Sequence, residues 1–185
     1  LINHCTDALI PPFTGEYVKS NHCTTWSANK DKRLWITAAH CITDPSGRYA
    51  DKDYSINGAE AKVIGYNVII DLAMLNVPRL IINNLKITNK TSKHGDPIRI
   101  IGHPYGWETR YVFYGHITAF GNREAFKDHV YTMYNMACAP GCSGAPVINS
   151  KGEVVSVLQI GWGAFTSLSG GVPLEGLKEF VAGYF

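Results

Sequence analysis

Short runs of apolar and β-branched residues recur along the chain, and turn-forming residues separate them. Runs of this kind are typical of β-strands, whereas long stretches with helical spacing are scarce. The pattern predicts strands over residues 34–37, 61–66, 72–77, 97–101, 111–120, 130–133, 146–149 and 153–160. Turns are predicted at 44–47, 57–58, 103–106, 149–152 and 169–171, which are rich in Gly, Pro, Asn, Asp and Ser. The pattern therefore predicts an all-β protein.

The end of the sequence has a different spacing. Leu174, Leu177, Phe180 and Val181 lie three or four positions apart, which places them on one face of a helix. We therefore expect a short C-terminal helix over residues 173–181. No repeat or low-complexity tract divides the chain, and the nearest thing to a boundary is the region 80–92.

Composition and charge exclude several classes of protein. The chain has 185 residues, of which 45% are hydrophobic and 17% charged, as in ordinary globular proteins. Its 17 basic and 15 acidic residues give a net charge of +2 without a basic run, so a nucleic-acid partner is not expected. No apolar run reaches the roughly 18 residues of a membrane span, and the N-terminus lacks the pattern of a signal peptide.

The five cysteines leave the redox state open, because an odd number means that at least one stays free or pairs with another chain. Cys23 and Cys41 flank a strand-like run in the way a disulfide would need. Reduced buried cysteines are equally ordinary, so both alternatives stand.

The first candidate for chemistry is His40, in the run Trp35-Ile-Thr-Ala-Ala-His40-Cys41. The small residues before it would let the imidazole lie close to neighbouring backbone in a cleft. Imidazole can accept a proton from a hydroxyl and return it to a leaving amine. A structural histidine at the end of a strand would have the same local sequence.

The second candidate is Asp71, the one carboxylate in the apolar run Ile70-Asp71-Leu72-Ala73-Met74-Leu75. A carboxylate among buried neighbours needs a strong partner, and an imidazole N–H can supply one while it holds the ring in one tautomer. The alternative is an aspartate that caps a turn at the start of the strand.

The third and most specific candidate is Ser143, in Pro140-Gly-Cys-Ser-Gly144. Glycines on both sides permit a tight loop in which the hydroxyl stands free of side-chain crowding. The backbone N–H groups of Gly141 and Ser143 could then form an oxyanion hole.

Together, these blocks resemble the trypsin/chymotrypsin-like family, whose triad occurs in the chain order His, Asp, Ser. Ile101-Gly-His-Pro-Tyr-Gly106 and Gly152-Glu-Val-Val extend the likeness over nearly the whole chain, and it is greatest toward the compact HtrA-type and viral branches. The resemblance implies two six-stranded antiparallel barrels in one domain over 1–185, the first at about 1–82 and the second at about 93–185. It also implies a serine endopeptidase that needs no metal or organic cofactor, in which His40, Asp71 and Ser143 work through an acyl-enzyme.

The resemblance also assigns the specificity pocket, to Ala137, Cys138, Gln159, Ile160 and Gly161. No acidic residue stands at Ala137, so we predict a preference for apolar or aromatic residues rather than Arg or Lys. Tyr105, Trp107 and Tyr111 are expected to pack in the core or between the barrels, although rim positions would also suit them. Cys142 stands where digestive members carry an aspartate, and we expect its side chain to point away from His40, so that Ser143 and not Cys142 is the nucleophile.

The chain begins at Leu1, which suggests either a processed product or an excised fragment. Release from a viral polyprotein by a cut after Phe185, or a secreted, extracytoplasmic location, would each fit this origin. Two rival functions are weaker. One is an inactive protease-like binding module, although no triad member is missing, and the other is an esterase, whose nucleophile motif Gly-x-Ser-x-Gly differs from the sequence found here.

Overall fold

The computed structural model describes residues 7–10, 23–44, 46–51, 53–79, 83–122, 129–137, 139–161 and 167–185. Within them lie twelve strands and one α-helix. They are β1 (Asp7–Ile10), β2 (Cys23–Asn29), β3 (Leu34–Thr37), β4 (Tyr54–Ile56), β5 (Ala59–Asn67), β6 (Leu72–Asn76), β7 (Pro97–Gly102), β8 (Tyr111–Asn122), β9 (Tyr131–Tyr134), β10 (Pro146–Asn149), β11 (Val154–Gly161), β12 (Ser169–Gly171) and α1 (Leu174–Ala182).

These strands form two closed antiparallel barrels of six strands each. The first has the order β1-β2-β3-β6-β5-β4 and the second β10-β11-β12-β9-β8-β7. Pairing of β1 with β4 closes the first barrel, and pairing of β10 with β7 closes the second. The expected all-β class, with two six-stranded barrels and a short C-terminal helix, is confirmed.

Strands β3 and β6 of the first barrel are apolar on both faces because each face is buried against a different partner. In β3, Leu34 and Ile36 join a core cluster between the barrels, whereas Trp35 lies in the interior of the first barrel. In β6, Leu72 and Met74 again face the shared cluster. This alternation follows from the two-residue period of a strand, and it explains why both strands read as unbroken apolar runs.

The C-terminal helix covers one end of the shared core. It begins after Pro173 and buries Leu177 and Val181, which join the cluster that contains residues of both barrels. Burial of one such side chain stabilises the folded state by about 1.5–3 kcal/mol. The helix therefore stabilises the packing of the two barrels against each other.

Two sequence interpretations need correction. Residues 169–171 are not a turn but strand β12, which pairs with β9 and β11. A Cβ added at Gly171 would lie 2.4 Å from the Val157 carbonyl oxygen and 2.5 Å from Ser156 Oγ, so glycine permits close packing there rather than a reversal. Strand β2 was not predicted, because its buried Thr24, Thr25 and Ser27 give it a polar sequence.

Candidate active site

His40 lies in a single 3-10 turn, Ala39–Cys41, directly after strand β3. The alanines before it, Ala38 and Ala39, are buried, so the backbone of the turn packs closely on the first barrel. The His40 side chain itself is 46% exposed. The imidazole is therefore accessible while its backbone is anchored.

The Asp71 carboxylate makes two hydrogen bonds to His40. Its Oδ2 lies 2.7 Å from the ring Nδ1, and its Oδ1 accepts the His40 backbone N–H at 2.8 Å. Asp71 has a φ of 50°, a left-handed conformation that aspartate tolerates better than most residues. Because a carboxylate only accepts, Nδ1 is the nitrogen that carries the proton, and Nε2 of the neutral ring is left as an acceptor.

Ser143 stands in the serine loop, residues 139–145, which depends on glycine for its shape. Gly144 has a φ of 87°, and a Cβ added there would lie 2.2 Å from the Thr24 carbonyl oxygen and 3.0 Å from the Ala38 N. Only glycine fits so close an approach. The contact places the residue after Ser143 directly against the segment that leads into His40.

Thr24 of β2 connects the serine loop to the first barrel through hydrogen bonds. Its backbone N–H donates to the Ser143 carbonyl at 2.8 Å. Its hydroxyl donates to the Gly141 carbonyl at 2.9 Å and accepts the His103 N–H at 3.0 Å. Thr24 is not a candidate from the sequence, because nothing local distinguishes a threonine that reaches across to another barrel.

The Ser143 hydroxyl makes one long hydrogen bond of 3.5 Å, to the carbonyl oxygen of Gln159, and none to His40 within the described part of the chain. The backbone N–H groups of Gly141 and Ser143 donate to no described residue. Two N–H groups of one loop are thus available to an anionic oxygen.

Gln159 belongs to the residues assigned to the specificity pocket, but its side chain is occupied elsewhere. It is buried, and its amide donates to the carbonyl oxygens of Ile70 and Asp71, to the latter at 3.0 Å. Of the other pocket residues, Ala137 and Gly161 are exposed and Ile160 is half-buried. Cys138 lies outside the described residues.

The cysteines near the site have different states. Cys23 and Cys41 form a disulfide, which decides between the two alternatives left by the sequence. Together with His40 they are the one group of potential metal ligands found among the described residues, and the disulfide occupies both sulfurs. Cys142 is buried in the interior of the second barrel, whereas Ser143 beside it is half-buried.

The expectation that Tyr105, Trp107 and Tyr111 pack in the core is wrong, since their exposed fractions are 57, 51 and 40%. The reason is that this segment packs on the serine loop through its backbone. A Cβ added at Gly141 would lie 2.5 Å from the His103 carbonyl oxygen and 2.7 Å from the Tyr105 N. The aromatic side chains are left at the surface.

A known family model covers the larger part of the chain, including the positions of His40, Asp71 and Ser143. Residues 18–157 match the model of the trypsin-like peptidase domain. The chain belongs to the trypsin-like peptidase family.

Relatives of this trypsin-like domain include bacterial proteases. A protein of Pseudomonas savastanoi pv. phaseolicola, named probable periplasmic serine endoprotease DegP-like, is 28% identical over 152 residues, which are 72% of this chain and 32% of that protein. A protein of the same name from Pseudomonas fulva is 32% identical over 121 residues, 63% of this chain and 25% of the relative. The chain therefore spans about a third or less of these relatives.

Solved structures show the same fold at low identity. The HtrA-type protease AlgW with a tripeptide matches with a TM-score of 0.80 and 17% identity over 96% of this chain and 59% of that one. The active form of the Rv3671c protease from M. tuberculosis gives a TM-score of 0.77, also at 17% identity, over 96% of this chain and 79% of that one.

In the described residues of this chain, no helix has the length and apolar character needed to cross a bilayer.

Proposed function

We propose that this trypsin-like chain is an endopeptidase that hydrolyses peptide bonds through an acyl-enzyme, with Ser143 as nucleophile, His40 as general base and Asp71 as the group that orients His40. The observation that carries the proposal is the pair of hydrogen bonds from His40 to the Asp71 carboxylate, at 2.7 Å from the ring and 2.8 Å from the backbone. They fix the ring and leave Nε2 as the proton acceptor that an attacking hydroxyl needs.

In the proposed reaction the Ser143 hydroxyl turns from the Gln159 carbonyl, 3.5 Å away, to His40 Nε2. Such hydrogen bonds are often long in unliganded enzymes and shorten when substrate binds. As Oγ attacks the scissile carbonyl carbon, Nε2 takes its proton and later gives it to the leaving amine. Water then hydrolyses the ester, with the same base assisting.

The negative charge that develops on the carbonyl oxygen would be bound by the N–H groups of Gly141 and Ser143. Neither group donates to a described residue, so neither has to break a hydrogen bond there before it meets the oxyanion. One such donor lowers the barrier by about 3–4 kcal/mol, or roughly a factor of 10² to 10³ in kcat.

For specificity, we propose a pocket formed by Ala137, Cys138, Gln159, Ile160 and Gly161 that accepts apolar or aromatic residues. Because the Gln159 side chain is held by Ile70 and Asp71, its contribution would come from its backbone. Cleavage of a peptide library is expected to follow apolar or aromatic residues. Cleavage after basic or acidic residues would contradict the pocket without contradicting the triad.

Two finer proposals concern the setting of the enzyme. The Cys23–Cys41 disulfide favours an oxidising, extracytoplasmic compartment, which cell fractionation would test. Self-release from a polyprotein is compatible with an apolar pocket. A longer precursor should then be cut after an apolar or aromatic residue, as read by mass spectrometry, and a precursor carrying Ser143→Ala should stay intact.

Labelling with a fluorophosphonate probe tests the proposed nucleophile. The wild-type chain should be labelled at neutral pH, Ser143→Ala should not, and Cys142→Ala should keep the label. Asp71→Asn should lower kcat by about 10⁴-fold, because the ring is then held in the wrong tautomer. A folded wild-type chain that is not labelled and cleaves no peptide would instead support the protease-like binding module.

A further inference from the structure

Four aromatic side chains form a continuous row beside the serine loop. This aromatic row consists of Tyr105, Trp107, Tyr111 and Phe113, whose successive ring centroids lie 5.5, 5.6 and 6.5 Å apart. The first three are 57, 51 and 40% exposed, and Phe113 is half-buried against the core of the second barrel. An exposed, contiguous apolar surface of this kind commonly marks a binding site.

The row is mounted on ordered backbone. The Tyr105 N–H donates to the Pro140 carbonyl at 2.5 Å, and the buried His103 ring bonds the Trp107 carbonyl through Nδ1 at 2.8 Å. Tyr111 begins strand β8 and pairs with Gly102 of β7. These contacts hold the backbone that carries the rings in place before a ligand arrives, which reduces the ordering cost of binding.

The same contacts make the row continuous with the proposed oxyanion hole. Pro140 precedes Gly141, and the backbone of residues 103–106 packs directly on Gly141. A polypeptide whose scissile carbonyl faces the Gly141 N–H therefore passes close to Tyr105.

We propose that the aromatic row is a substrate subsite that binds an aromatic or large apolar side chain of the polypeptide, outside the residue that enters the specificity pocket. Its location rests on the proposed function. Aromatic pairs with offset or tilted rings are favourable beyond the area that they bury, so each engaged ring should strengthen substrate binding about 2- to 10-fold.

The test compares Trp107→Ala with Tyr114→Ala. Tyr114 is 75% exposed on the same strand as Tyr111 but lies outside the row, so its loss controls for removal of an exposed aromatic group. Two peptides are used that share the residue at the cut and differ in whether a second aromatic residue flanks it. Affinities are measured on Ser143→Ala by calorimetry, and kcat and KM on the chain with Ser143 intact.

We expect Trp107→Ala to weaken binding of the doubly aromatic peptide and to raise its KM about 5- to 10-fold, with kcat and the singly aromatic peptide unchanged. Tyr114→Ala should match the wild type throughout. Equal KM values for the doubly aromatic peptide in the wild type and Trp107→Ala would overturn the subsite. A Trp107→Ala variant that differs from the wild type only in its oligomeric state would overturn it as well. If Ser143→Ala binds the peptide through Trp107 but the wild type cuts nothing, the subsite stands and the proposed function fails.

Discussion

The side-chain amide of Gln159 donates a hydrogen bond of 3.0 Å to the main-chain carbonyl of Asp71, from a residue 88 positions away in the other barrel. The same amide also donates to the Ile70 carbonyl. Since Asp71 has the left-handed φ of 50°, these bonds brace the turn that aims its carboxylate at His40. We regard Gln159 as a positioning residue for the proposed triad.

Gln159→Leu should therefore lower kcat about 10- to 100-fold with little change in KM, because small misplacements of reacting groups carry large rate penalties. The loss of donors to two carbonyl groups should also reduce the free energy of unfolding by about 1–3 kcal/mol. Steady-state kinetics and urea unfolding measure the two effects.

Thr25→Val is the matched control for Gln159→Leu. It removes a buried hydrogen bond of 2.8 Å to the Ile36 carbonyl, in which neither Asp71 nor Gln159 takes part. The control should lose comparable stability and keep kcat. If both variants lose kcat in equal measure, Gln159 has no special role in positioning Asp71.

Gly144→Ala should be more destabilising than Gly58→Ala. Both glycines have positive φ, 87° and 77°, so both substitutions strain the backbone by about 1–2 kcal/mol. An added Cβ at Gly144 would also meet the Thr24 carbonyl oxygen at 2.2 Å, whereas at Gly58 nothing lies within 4 Å. Urea unfolding should show the larger loss for Gly144→Ala, accompanied by loss of fluorophosphonate labelling. Equal losses would mean that the serine loop moves away from β2 without penalty.

The Cys23–Cys41 disulfide should stabilise the chain by about 3 kcal/mol, because it closes a short loop in the unfolded state. The sequence separation of the two cysteines is 18. The double variant Cys23→Ala/Cys41→Ala should lose that amount in urea unfolding without reductant. A phosphine reductant should bring the wild type to the same value and leave the variant unchanged. A wild type that is insensitive to the reductant would show that the disulfide does not contribute.

Stability should fall at alkaline pH because of buried tyrosines. Burial raises the pKa of Tyr54 to about 12 from 10.0, and burial together with the Asp71 charge raises the pKa of Tyr131 to about 12. Well below pH 10 both hydroxyls are protonated in the folded and unfolded chain, so their contribution is constant. Between pH 10 and 12 the unfolded chain loses protons that the folded chain keeps, which favours unfolding.

Urea unfolding at pH 8, 10 and 11 measures this alkaline effect. The free energy of unfolding should decline from pH 10 to 11, and less steeply in Tyr54→Phe and Tyr131→Phe than in the wild type. A decline that is equally steep in both variants would assign the effect to other groups.

The sequence predicted strands well where apolar residues dominate and poorly where burial depends on distant partners. The predicted run at 34–37 coincides with β3, because Leu34 and Trp35 signal burial by themselves. Strand β2 was missed because it buries Thr24 and Thr25, whose hydroxyls are satisfied by distant partners, Gly141 and Ile36. The glycines of β12 resemble a turn until the close approach of Val157 is known.

By itself the sequence determined the all-β class, the closing helix and the three residue types that point to acyl transfer, since these depend on local spacing and on the chemistry of single side chains. Only the tertiary structure decided that Asp71 forms hydrogen bonds with both the ring and the backbone of His40. It also decided that Gln159 supports the Asp71 turn. The surface positions of three aromatic residues, Tyr105, Trp107 and Tyr111, were decided in the same way. Those relationships join residues far apart in the chain. Close packing of the two barrels sets them, and no local pattern encodes it.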